Sequence, residues 1–319
     1  MELDGFSGPF YTHGMDIVDD PALPLGDAIY ILVINHLPNK ERRTFGSTSR
    51  VHKSHSVVEV FHHKVGSRTA QYIRRVWHPL ITTPNDLVAL SPSSFLVTND
   101  HKIRQGYVKL LEDVNWLSKS ANVAHIEFEV PPPANDKVEE TTGVTGSIAL
   151  NIHNANGIGH GRHQNEVIVI SGTSGTAHIG NFTKDSHGNI ALDIAYSVKV
   201  DSCLDNPSFF RDPYASPSHD VSSFVLTGLA KASKTILTVR NPKARQPGIV
   251  WRVKAPSDDT NGSRVDISEL FQDDGNRLNS ASTSLLVPLR AYQTEGQRQA
   301  WLFVTGFFAS NIIAFKVSL

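Results

Sequence analysis

Short apolar runs recur along the chain, separated by turns rich in Gly, Pro, Asn, Asp and Ser, at intervals of about a dozen residues. Residues 28–36 (Ala-Ile-Tyr-Ile-Leu-Val-Ile-Asn-His) form an unbroken β-branched run, the pattern of a strand buried on both faces. Residues 56–63 and 123–130 alternate apolar and polar positions, as half-buried strands do. Residues 87–90 and 95–97 flank Ser-Pro-Ser-Ser and predict a hairpin. Further strands are expected at 167–171, 177–182, 190–198, 223–229, 236–239, 250–253, 284–291, 301–306 and 311–317. The turn at 183–189 is of the kind that joins antiparallel strands. Helical spacing is confined to residues 107–116. The segment 42–56 is polar and irregular, and Pro131-Pro132-Pro133 begins an exposed loop. Many short strands in one chain favour a sandwich, a barrel or a propeller. Without strict repeats, a single β-propeller domain over residues 1–319 with divergent blades fits the length and strand count best.

Composition narrows the function classes. Thirty Lys plus Arg nearly cancel 31 Asp plus Glu, so the chain carries no electrostatic footprint for nucleic acid or an anionic membrane. Apolar residues make up 39%, an ordinary globular share, yet no run reaches the length of a membrane helix. A single cysteine, Cys203, excludes an internal disulfide framework and a Cys-based zinc site. No basic n-region with an apolar h-region opens the chain. Asn181-Phe-Thr and Asn261-Gly-Ser are permissive for glycosylation if the chain is secreted, and the compartment stays open.

Candidate chemistry lies in oxygen-rich pairs at strand ends. Asn85-Asp86 precedes one arm of the hairpin and Asn99-Asp100 follows the other; Asn156 and Asp205-Asn206 lie further along. Amide and carboxylate oxygens are the hard donors that calcium prefers. Each pair alone reads as well as turn residues, and only their company favours a site. His62-His63 makes a poor metal pair, because neighbouring strand residues point to opposite faces.

Taken together and in order, these stretches resemble the serum paraoxonases and their fungal arylesterase relatives. The resemblance rests on His13-Gly14, Val33-Ile34-Asn35-His36, Asn85-Asp86-Leu87-Val88-Ala89-Leu90 and Thr98-Asn99-Asp100-His101. It continues through Ala155-Asn156-Gly157-Ile158, Leu204-Asp205-Asn206 and Leu302-Phe303-Val304-Thr305-Gly306. Insertions are expected at 42–55, 131–146 and 209–257. The resemblance implies a six-bladed β-propeller holding two calcium ions. It assigns Asn85, Asn156, Asp205 and Asn206 to the catalytic ion, and Asp86 with the main-chain oxygen of Met15 to the structural one. It assigns His13 and His36 to water activation. A third histidine of mammalian members falls near Leu229 and Ala230, where this chain has none. The family's upstream Glu-Asp calcium ligands are not carried over to Glu2 or Asp4. About five blades are therefore expected here, with the first missing or incomplete.

The expected function is hydrolysis of small aryl esters or lactones, with Ca²⁺ polarising the carbonyl and the histidine pair activating water. The alternative is a non-catalytic propeller that keeps calcium for stability and binds a ligand or partner. A propeller of the strictosidine-synthase type fits the strands but not the Asn-Asp set.

Overall fold

The computed structural model describes residues 1–38, 54–100, 121–130, 138–216, 219–230, 244–254, 265–290 and 297–319. The helical spacing at 107–116, the strand expected at 236–239 and the triple proline lie outside them. Every regular element among the described residues is a β-strand, and the fold is an all-β propeller with five blades.

The first blade runs β1 (Glu2–Asp4), β5 (Thr69–Val76), β4 (Ser54–Lys64), β3 (Ala28–Pro38), β2 (Thr12–Asp19). The second is β6 (Pro84–Ser91), β7 (Ser94–Asn99), β8 (Ala121–Phe128) and β9 (Val144–Ile152). The third is β10 (Ala155–His160), β11 (Glu166–Ser171), β12 (Thr176–Lys184) and β13 (Ile190–Lys199). The fourth is β14 (Cys203–Phe210), β15 (Ser223–Leu229), β16 (Gly248–Lys254) and β17 (Asp266–Asp273). The fifth has three strands, β18 (Ala281–Pro288), β19 (Gln299–Gly306) and β20 (Ile313–Ser318). The expected hairpin is β6–β7, closed by Pro92 and Ser93. Residues 209–257, where the resemblance implies an insertion, carry the strands expected at 223–229 and 250–253 as β15 and β16, the central strands of the fourth blade.

The chain divides into two compact units, residues 1–155 with 183–192, and residues 156–182 with 193–319. In the first, Leu32, Ile34, Val58 and Val60 of one sheet pack with Leu87, Phe95, Val97 and Ile126 of the next. In the second, alternation along β15 sends Phe224 and Leu226 into a cluster with Ile168 and Ile179. It sends Val225 the other way, to Leu286, Leu302 and Val304. Each such side chain, fully buried, stabilises the fold by about 1.5–3 kcal/mol. That two-sided burial is why the central strands read as apolar runs.

β1 adds to β5 in parallel, Glu2 opposite Thr69. Leu3 and Phe6 then pack on Ile31, Val33, Phe61 and Ala70. Glu2 and Asp4 thus lie on the sheet edge opposite β2.

Candidate functional site

Three of the motif pairs sit in β-bulges near the starts of β2, β6 and β14. β2 pairs Thr12 with Asn35 and Met15 with Val33, so His13 and Gly14 together oppose Ile34. β6 pairs Pro84 with Asn99 and Leu87 with Val97, leaving Asn85 and Asp86 opposite Thr98. β14 pairs Leu204 with Gly228 and Pro207 with Leu226, so Asp205 and Asn206 oppose Thr227. An extra residue bends its strand and re-aims side chains, which is why bulges gather beside active sites. The second bulge is stitched by Thr98, whose hydroxyl accepts the Asp86 amide at 3.0 Å and donates to the Asp86 carbonyl at 3.1 Å.

Glycine lets these bulges approach their neighbours. A Cβ on Gly14 would lie 2.5 Å from Asp86 Cα and 2.8 Å from the Asn85 carbonyl oxygen, and closer still to the Asp86 carboxylate. A Cβ on Gly157 would overlap the Asp205 carbonyl and lie 2.8 Å from Asn206 Cα and Pro207 Cδ. His13-Gly14 therefore packs on Asn85-Asp86, and Asn156-Gly157 on Asp205-Asn206.

In the first unit, His13 Nδ1 lies 3.2 Å from His36 Nε2, and His36 Nδ1 lies 2.9 Å from the Ser56 hydroxyl. Ser56 stands directly across from His36 in the β3–β4 ladder. His13 keeps one face open to solvent, yet enough protein surrounds the ring that burial lowers its pKa below the ordinary value. Burial also lowers that of His36, followed by the charge of His13. The Asp100 carboxylate opposes both shifts. The net shift of each favours the neutral ring. Asp86 is buried, with Oδ1 accepting the Leu87 amide at 2.9 Å. The Met15 side chain is exposed, and its expected role was for the main-chain oxygen alone.

In the second unit, Asn156 Nδ2 donates to the Leu204 carbonyl at 3.2 Å, beside Asp205 and Asn206. Asp205 is half-exposed at its surface, but its carboxyl is enclosed and burial pushes the pKa up to about 7. A carboxyl so short of positive charge, flanked by neutral amides, is a donor set that fits a hard divalent cation. Among the described residues no three His, Cys, Asp or Glu side chains gather around a point. The expected set, with one carboxylate beside three amides, is not of that kind. The two neighbouring histidines of β4 part company: His62 bonds Asp20 at 2.9 Å and His63 donates to the Thr69 carbonyl at 2.9 Å.

Ser56 and the reach of Asp100 to both rings are not legible in the sequence. The first shows only in strand register and the second only in space.

A family model described as Arylesterase matches residues 13–288. The chain is 24% identical over 205 residues to serum paraoxonase/arylesterase 2 of Gallus gallus, covering 64% of this chain and 47% of that protein. It is 27% identical over 199 residues to serum paraoxonase/arylesterase 1 of Mus musculus, covering 62% and 45%. The chain thus spans about half the length of the curated relatives it matches. A putative oxidoreductase (glucose dehydrogenase) from Thermus thermophilus aligns over 92% of this chain and 79% of its own. The TM-score of that alignment is 0.42, at 12% identity. The family match, by contrast, runs from the His13 bulge through the first strand of the fifth blade, and on that extent the chain belongs to the arylesterase family.

Proposed function

We propose that the protein hydrolyses small aryl esters or lactones, with His13 as general base, His36 as its relay and calcium as cofactor. The observation that carries this reading is the hydrogen-bonded line His13–His36–Ser56. A proton on His36 Nδ1 is donated to the Ser56 hydroxyl, which leaves His36 Nε2 to accept from His13 Nδ1–H. His13 Nε2 then carries the lone pair that takes a proton from water. As that proton arrives, the imidazolium charge is shared along the line, and the Asp100 carboxylate stabilises it.

We assign Asn156, Asp205 and Asn206 to one calcium, and Asp86 with the main-chain oxygen of Met15 to another. Asn85 is the further donor that variants must test. Calcium, when bound, supplies Lewis-acid polarisation of the substrate carbonyl and charge for the oxyanion.

The test is hydrolysis of an aryl acetate and of a δ-lactone by the full chain in buffered calcium. His13→Gln should lower kcat by about 10²–10⁴-fold while KM changes little, as expected for a group acting in the transition state. An unchanged kcat would remove His13 from the chemistry.

A further inference from the structure

Asn35 on β3 and Asn99 on β7 hold equivalent places. Each pairs with the residue just before a bulge, Thr12 in one sheet and Pro84 in the other. Both side chains are fully buried. Asn35 Oδ1 accepts the Tyr11 amide at 2.8 Å, and Nδ2 donates to the Pro9 carbonyl at 3.1 Å. Asn99 Oδ1 accepts the amides of Thr82 and Thr83 at 2.8 and 3.0 Å, and Nδ2 donates to the Leu80 carbonyl at 2.9 Å. In both sheets one amide side chain supplies the bonds that a bulge denies to the approaching backbone. The fourth and fifth blades solve the same problem differently. There the equivalent partners are Gly228 and Gly306, where an added Cβ would collide with the carbonyls of Cys203 and of Ser280.

Behind Asn35 the support is rigid. Its Nδ2 also donates to Glu59 Oε1 at 3.0 Å, and Glu59 is itself fully buried. Arg75 donates to that same oxygen from Nε at 3.0 Å and Nη2 at 2.7 Å, while the Tyr72 hydroxyl donates to Oε2 at 3.0 Å. On the near side, the His36 amide donates to the Tyr11 carbonyl at 3.0 Å. Tyr11 is thus held at both its N–H and its C=O, two residues before His13.

We infer that Asn35 is a positioning residue: its amide clamps Pro9 and Tyr11 to the buried Glu59 post and so aims His13 at His36. It touches neither water nor substrate. A side chain out of place by about 1 Å can cost up to about 10²-fold in rate, so the clamp is worth a measurable share of kcat. The kinetic part of the inference rests on His13–His36 being the water-activating pair; the structural part does not.

The experiment compares Asn35→Ala, Tyr11→Pro and Tyr11→Ala in the full chain, with thermal melts to confirm folding. The Tyr11 side chain is exposed; Tyr11→Pro deletes the clamped N–H and sets a ring carbon against Asn35 Oδ1, leaving Glu59, Arg75 and Tyr72 unchanged in sequence, and Tyr11→Ala keeps the N–H as control. The readout is the downfield imidazole N–H proton shared by His13 and His36 in ¹⁵N-histidine spectra, together with kcat and KM. Asn35→Ala and Tyr11→Pro should each lose that signal and about 10–100-fold in kcat with KM nearly unchanged. Tyr11→Ala should keep both. The double variant should lose no more than Asn35→Ala alone, because the contact that Tyr11→Pro removes is among those that Asn35→Ala already removes. A native histidine signal in folded Asn35→Ala or Tyr11→Pro overturns the clamp. Should Asn35→Ala fail to fold, Tyr11→Pro decides. Loss of the signal with kcat intact leaves the clamp standing and instead refutes the water-activating role of the pair.

Discussion

Replacing Gly157 with Ala tests whether the close approach of β10 to β14 is structural. The added Cβ would stand 2.8 Å from Asn206 Cα and Pro207 Cδ and nearer still to the Asp205 carbonyl. Carbon contacts settle at about 3.5–4.0 Å, so the strands would have to part by roughly 1 Å. The obstructing atoms are backbone or proline ring, which cannot rotate aside as a side-chain end would. Overpacking of this kind costs about 1–3 kcal/mol, and the smaller unfolded-state entropy of Ala returns about 0.4–1 kcal/mol. The net loss is about 1–2 kcal/mol, a fall in Tm of about 2–6 °C for a chain of this size. Gly159→Ala is the matched control, because its nearest neighbour is the Pro207 carbonyl at 3.1 Å, which needs only a few tenths of an ångström. Calorimetric melts with and without calcium read both effects. Gly157→Ala should also shrink the calcium-induced rise in Tm, since Asp205 and Asn206 are displaced. A Gly157→Ala melt equal to that of the native chain, or Gly159→Ala falling further, would refute the reasoning.

Four further outcomes test the site and the core. Chelation with EDTA should lower Tm and abolish hydrolysis, and Asp205→Asn should weaken calcium binding by at least about tenfold in calorimetric titration, because ligand charge sets calcium affinity. Asp100→Asn should shift the acid limb of kcat/KM to still lower pH, starting from a native midpoint below 6.5. Burial lowers both histidine pKa values and only that carboxylate raises them, so a limb moving upward contradicts the arrangement. His125 is buried against the Ser94 hydroxyl, and burial lowers its pKa. Its stabilising share is therefore complete above pH 6.5 and lost as pH falls through the folded value. Urea midpoints between pH 7 and 5 should decline less steeply in His125→Gln, and an unchanged slope would clear His125 of the effect.

What the sequence made legible was set by burial. β3 and the β6–β7 hairpin are readable because both sheet faces are covered and apolar residues run unbroken through 28–34, 87–90 and 95–97. β14 shows no strand pattern in the sequence, since its bulge places Asp205 and Asn206 side by side and breaks the period of two. β17 carries mostly exposed residues, and β1 has three, too few for any pattern. The Asn-Asp pairs on either side of the hairpin look alike in sequence. In the structure, Asn85-Asp86 lies in a bulge, whereas Asn99 is buried with its oxygen shared by two backbone amides. The histidine pair came only through the family resemblance. Nothing in the spacing of His13 and His36 announces that a bulge brings their rings within hydrogen-bonding distance.

The parallel attachment of β1 has a kinetic consequence. Glu2 and Thr69 are 67 positions apart (69 − 2), so this strand docks at least entropic cost after the hairpins between them have formed. Between the two sheet edges, Phe6 and Phe10 stack edge-on against Phe61, and Tyr11 then enters β2. A segment that joins last and makes few backbone bonds is among the first to open in the native state. Opening of β1 would be transmitted along ten residues to His13 at the far edge. Hydrogen exchange at Leu3 should therefore run ahead of global unfolding, and mild proteolysis within the first ten residues should silence catalysis while the five blades remain folded.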